Sequence, residues 1–81
     1  MNISDEIKDI IIIHTGAEFD GITDTSEIIS DLGASEFSCV QIMIDIEKKF
    51  GISIPDEDIS DLNTVGALIG YVKRRIDEGE N

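Results

Sequence analysis

Residues 35–51 read Ser-Glu-Phe-Ser-Cys-Val-Gln-Ile-Met-Ile-Asp-Ile-Glu-Lys-Lys-Phe-Gly, and this stretch decides the architecture. Phe37, Val40, Ile44 and Glu47 trace one line at helical spacing, and Met43, Ile46 and Phe50 trace the adjacent one, which makes a wide apolar stripe. Ser35 is the natural N-cap, because its hydroxyl oxygen can accept from an orphan first-turn N–H. Gly51 can take the left-handed conformation that ends a helix. Glu36 in the first turn and Lys48 and Lys49 in the last suit the helix dipole. The pattern predicts a helix over 36–50.

Upstream of it, residues 17–35 form a long connection punctuated by Gly21, Thr23, Asp24, Thr25, Ser26 and Gly33. Phe19, Ile22, Ile28, Ile29 and Leu32 lie between these residues. A loop carrying so many large apolar groups is expected to pack back over the core. Further upstream, Ile3, Ile7, Ile10, Ile11 and His14 share one helical face. Ser4 and Asp5 stand near its start as expected capping groups, and Gly16 near its end. Lys8 is the basic side chain of that helix.

Downstream, Pro55 is expected at the first helical position of a short turn reaching about Ser60, where its missing N–H costs nothing. Asn63 or Thr64 caps a last helix with Val65, Leu68, Ile69, Val72 and Ile76 inward and Lys73, Arg74 and Arg75 in its final turn. The tail from Asp77 to Asn81 is expected to fray. These readings combine into an all-α fold: a four-helix bundle with a long first loop and a short third helix.

The bulk properties bound the function. The 81 residues make one domain, 1–81. A chain of this size buries only about 60% of its unfolded surface, which leaves no room for a deep active-site cleft. Eighteen Asp and Glu against six Lys and Arg give a net charge of −12. That charge argues against nucleic acid, whose phosphates need a basic face, and against an anionic membrane surface. It favours basic protein partners. The single cysteine, Cys39, leaves no internal disulfide and no cysteine-based metal cluster. The first residues lack a secretory pattern, and the run Ile10–Ile13 is far too short to span a bilayer. A soluble cytoplasmic monomer is the expectation. No acid–base pair or nucleophile constellation is present, so the reading is of a protein that is not an enzyme.

Asp31-Leu32-Gly33-Ala34, then Val40 and Ile46-Glu47, then Phe50-Gly51-Ile52-Ser53-Ile54-Pro55-Asp56-Glu57-Asp58, then Thr64-Val65 together resemble the acyl carrier proteins of fatty-acid, lipid and polyketide synthesis. The match is gapless from about Ile28 to Val72. The resemblance implies a four-helix bundle. It also implies a function: carrying acyl groups as thioesters on a 4′-phosphopantetheine arm and presenting them to synthases, acyltransferases or acyl ligases, after a phosphopantetheinyl transferase attaches the arm. The family attaches it to a serine at the start of the second helix, within Asp-Leu-Gly-x-Asp-Ser-Leu. Backbone N–H groups and the helix dipole favour a phosphodiester there.

Here the sequence departs from the family. Ser35 takes the place of the family's Asp, and Glu36 that of the modified Ser. Three readings follow. A neighbouring hydroxyl, Ser35 or the more interior Ser38, takes the arm. Alternatively nothing is attached, and Glu36 supplies a fixed negative charge where the phosphate would sit, in an unmodified carrier-shaped binding or regulatory protein. In the third, Glu36 is an engineered or drifted substitution in an ordinary carrier.

Acidic residues cluster on the second helix and beyond it: Glu36, Asp45, Glu47, Asp56, Glu57, Asp58 and Asp61. The resemblance makes this a docking surface for enzymes with basic patches, with Glu36, Asp45, Glu47, Asp56 and Glu57 as contacts. Gln41 stands where the family usually has a glutamate. A calcium loop beginning at Asp56 would need Gly sixth and Glu twelfth, but Asp61 and Ala67 stand there. No metal site is read. His14 is expected to be a half-buried, hydrogen-bonded side chain, and Cys39, with no base beside it in the sequence, a small helix residue.

Overall fold

The computed structural model of the protein describes residues 2–79. Within them lie four α-helices: α1 (Ile3–Thr15), α2 (Glu36–Phe50), α3 (Asp56–Ile59) and α4 (Val65–Asp77). The long connection before α2 contains one short 3₁₀ turn, Phe19–Gly21. Among the described residues, extended pairing is limited to one isolated bridge, Glu27 to Thr64. The expected all-α bundle with its long first loop and short third helix is the observed one. The tail divides: Asp77 ends α4, Glu78 is its C-cap, Gly79 takes a φ of 71°, and Glu80 and Asn81 lie outside the described residues.

Helix termination follows local chemistry. Ser35 and Thr64 accept from Ser38 N and Ala67 N, and Gly16 and Gly51 end α1 and α2 in the left-handed region. Two expected caps are corrected. Asn2, not Ser4 or Asp5, caps α1, its carboxamide oxygen accepting from Asp5 N at 3.2 Å. Helix formation begins one residue before Ser4, so both expected caps are already helical. Pro55 is the N-cap of α3, not its first helical residue, because its ψ of 148° is extended.

The core is mostly isoleucine. Ile7 and Ile11 of α1, Ile42 and Ile46 of α2, Ile28 of the loop, and Val65, Leu68 and Val72 of α4 are almost fully buried. Ile42 belongs to neither of the two lines that the spacing traces on α2. The line Phe37, Val40, Ile44 faces out, with Phe37 72% exposed. The helix is apolar over so wide an arc that spacing alone does not say which part is covered.

The first loop packs back as expected through Ile22 and Ile28, whereas Phe19 and Ile29 are about half exposed. Lys8 Nζ lies 5.3 Å from the Phe19 ring centre. The loop also satisfies the N-terminus of α4: Val65 N donates to Ser26 O at 3.0 Å and Gly66 N to Asp24 O at 2.8 Å. Ile28 N donates in return to Asn63 O at 2.9 Å. Orphan donors at a helix start thus become the anchor of a long connection.

Candidate functional site

The start of α2 is set by a compact turn over residues 27–34. Asp31 N and Leu32 N both donate to Glu27 O, Gly33 N donates to Ile29 O, and Ala34 N to Ile28 O. The Asp31 carboxylate closes the turn by accepting from Glu27 N at 2.8 Å. Gly33 has a φ of 81°, a conformation that a side chain would strain. Ala34 is buried and pins the turn to the core. Asp31, Gly33 and Ala34 therefore fix where α2 begins.

Ser35 follows with extended φ and ψ. Its Oγ accepts from Ser38 N at 3.0 Å and donates to Ser38 Oγ at 3.1 Å. Ser35 is exposed, and Ser38 is half-buried within the first turn. Glu36 opens the helix, exposed, with its carboxylate at the positive end of the dipole. All three candidate residues are therefore within one turn.

Beside them opens a cavity of about 580 Å³ between the first loop, α2 and the α3 region. Its floor is apolar, from Ile28, Met43, Ile59 and Leu62, and Glu36 and Cys39 stand along its α2 side. The size falls in the range of ligand sites. Burial pushes the Cys39 thiol above its ordinary value, and the nearby Glu36 carboxylate adds to the effect. Cys39 stays a neutral thiol, which is a weak nucleophile.

The acidic residues separate by geometry. Glu36, Asp56, Glu57 and Asp61 are exposed. Asp45 lies 2.6 Å from His14 Nε2 and joins α2 to α1. Glu47 accepts from Ile54 N at 2.7 Å and organises the segment leading to α3. Asp58 accepts from the Tyr71 hydroxyl. His14 is thus half-buried and hydrogen-bonded as expected, although its partner is 31 residues away and invisible to local spacing. Tyr71 is a residue that the sequence does not single out; it sits one position from the inward Val72, where an amphipathic line does not select it.

Phe37, Val40 and Ile44 run along the exposed side of α2, between the helix start and its acidic flanks. Among the described residues, no group of His, Cys, Asp and Glu could hold a metal ion, and no helix is long and apolar enough to cross a membrane.

A family model described as "Phosphopantetheine attachment site" matches residues 5–72. The family's group is 4′-phosphopantetheine, joined through a phosphodiester that needs a hydroxyl oxygen. Position 36 offers a carboxylate and cannot form that ester. Ser35, one residue earlier, offers an exposed hydroxyl beside the free end of the helix dipole, and Ser38 a less accessible one. Ser35 and Ser38 are the hydroxyls that the cap and first turn of α2 offer to such a group. The matched span covers all but the ends of the chain, including most of α1, the loop, α2, α3 and most of α4, and the protein therefore belongs to the phosphopantetheine attachment-site family of carrier proteins.

Proposed function

We propose that the protein is an acyl carrier that presents an acyl group or intermediate to enzymes of fatty-acid, lipid or polyketide-type synthesis in the cytoplasm, with Ser35 holding the arm. The supporting observation is the exposed Ser35 hydroxyl at the N-cap of α2, next to an apolar cavity. When bound, 4′-phosphopantetheine supplies a flexible thiol for thioester linkage. Ser35 gives the oxygen for the phosphodiester, and the N-terminus of α2 favours its negative charge. The cavity offers apolar shelter for the cargo. Glu36, Asp56 and Glu57, with the outward Phe37, Val40 and Ile44, form the docking face for basic patches on synthases, acyltransferases, acyl ligases and a phosphopantetheinyl transferase. Asp45 and Glu47 sit within that charged region but already serve His14 and Ile54 N.

A second reading is favoured by Glu36. A fixed carboxylate already occupies the family's attachment position, and the Ser35 oxygen is used as a cap. On this reading the chain docks to the same enzymes without an arm. Intact-mass analysis after incubation with coenzyme A and a phosphopantetheinyl transferase separates the two. A mass gain lost in Ser35→Ala and kept in Ser38→Ala supports the carrier. No gain in the natural chain, together with a gain in Glu36→Ser, supports the unmodified reading.

A further inference from the structure

α1 and α2 run antiparallel, and two side-chain contacts fix their register. Lys49 Nζ meets Glu6 Oε1 at 2.8 Å toward one end, and His14 Nε2 meets Asp45 Oδ2 at 2.6 Å toward the other. Between these ties lies a groove of about 500 Å³, lined by Asp9, Ile10 and Ile13 of α1 and by Lys48 of α2 together with three of the tied residues. Ile10 is buried, but Ile13 is 76% exposed on the α1 side. On the α2 side Ile44, the neighbour of Asp45, is 39% exposed. Asp9 and Lys48 are both exposed, and neither takes part in an ion pair among the described residues.

Charge sets this face apart. A chain of net charge −12 repels its own copy wherever carboxylates meet carboxylates. Here Lys48 and Lys49 stand among Glu6, Asp9 and Asp45, so the groove carries both signs. The register makes the mixture self-complementary. Ile10 is midway between Glu6 and His14, and Glu47 is midway between Lys49 and Asp45. Equal rise along both helices then puts Asp9 level with Lys48, and Ile13 level with Ile44. In a contact whose two-fold axis runs along the groove, α1 of one copy lies over α2 of the other at the same height. Asp9 then faces Lys48 and Ile13 faces Ile44, each twice. A foreign partner would need to match that alternation, whereas a second copy has it by symmetry.

We propose that this groove is a self-association face through which two copies of the chain pair, and that the monomer expected from the sequence is the dilute form. The pairing does not depend on an attached arm. Ser35 and Glu36 lie beyond the end of the facing α1, so both copies keep the start of α2 open.

Sedimentation equilibrium at about 0.1–1 mM protein, the range of a weak contact, reads the association. At 0.15 M NaCl the Debye length is about 8 Å, which screens most repulsion between whole molecules while contact pairs still act. The natural chain should move from the mass of one copy toward that of two as concentration rises. Ile13→Glu should keep the mass of one copy throughout, with the circular dichroism of the natural chain, because that side chain already stands in water. Lys48→Glu should weaken association about tenfold, the scale of two exposed ion pairs. Adding Asp9→Lys to it restores the net charge and should restore association. Phe37→Glu, beyond the facing α1, should associate like the natural chain. A single-copy mass for the natural chain at every concentration overturns the proposal. Association that survives Ile13→Glu does so too, since the contact is then elsewhere. A double swap no tighter than Lys48→Glu alone rejects the two-fold pairing, and loss of association in Phe37→Glu moves the contact to the outer side of α2 and ends the proposal.

Discussion

His14 Nε2 and Asp45 Oδ2 meet at 2.6 Å across the junction of α1 and α2. A carboxylate only accepts, so the imidazole donates through Nε2. The side chains are 19% and 42% exposed, which makes this a partly screened contact. Beside it, Lys49 Nζ and Glu6 Oε1 form a second bridge at 2.8 Å between the same helices.

A double-mutant cycle of His14→Gln and Asp45→Asn should give a coupling of about 0.5–1 kcal/mol in urea unfolding, the range of exposed to half-exposed pairs. Additive single effects would mean that the contact contributes nothing beyond its two residues.

Two glycines of α4 should respond oppositely to alanine. A Cβ on Gly66 would lie 2.8 Å from Asp24 O, the carbonyl that accepts its N–H, and backbone cannot swing aside as a side chain can. Gly66→Ala should cost about 1–3 kcal/mol by forcing the loop off the helix start. Gly70 has nothing within 4 Å of a built Cβ, so Gly70→Ala should stabilise by about 0.5–1 kcal/mol through backbone entropy. Thermal unfolding of the two variants checks the pair.

Ile42 and Phe37, five residues apart on α2, separate stability from recognition. Ile42 is fully buried, and Ile42→Ala should cost about 2–5 kcal/mol. Phe37→Ala should change stability by less than about 0.5 kcal/mol while weakening capture by partner enzymes. Calorimetry for the first effect and binding titration for the second are the measurements. A large loss of stability on removing Phe37 would place that ring in the core.

Alkaline pH should destabilise the fold. Burial, then the Glu36 charge, raises the Cys39 thiol above its ordinary 9.0. Burial, then the bond to Asp58, raises the Tyr71 phenol above its ordinary 10.0, with Arg75 opposing. In both cases the folded chain keeps a proton that the unfolded chain has begun to release. Stability is therefore fully present below these ordinary values and falls as pH rises through 9.0 and then 10.0 toward the folded-state values. Urea midpoints followed upward from about pH 8 should decline, and Cys39→Ala should remove the earlier part of the decline. A profile unchanged by that substitution would assign the early part to other groups.

Features governed by neighbours in the chain are legible in the order of the residues. The span of α2, the Ser35 cap, the helix stops at Gly16 and Gly51, and the inward line of α4 each depend on residues within a turn of one another. Tertiary placement is harder to read. The Phe37 line and the Met43 line have equal claim to the core by spacing, and only the packing of the other elements chooses between them. The internal roles of Asp45, Glu47 and Asp58 are hidden for the same reason, since His14, Ile54 N and Tyr71 come from elsewhere in the chain.

The sequence by itself determined an all-helical carrier-type chain with a carboxylate, Glu36, where the family bears its modified hydroxyl. Hydrophobic period, capping groups and residue identity are local properties, and no folding is needed to read them. The tertiary structure alone decided which carboxylates face water, which apolar line is left outside, and that Tyr71 donates to Asp58 of the short helix. Those outcomes depend on which surfaces meet when the helices pack, and burial and hydrogen bonding between distant residues are properties of that meeting.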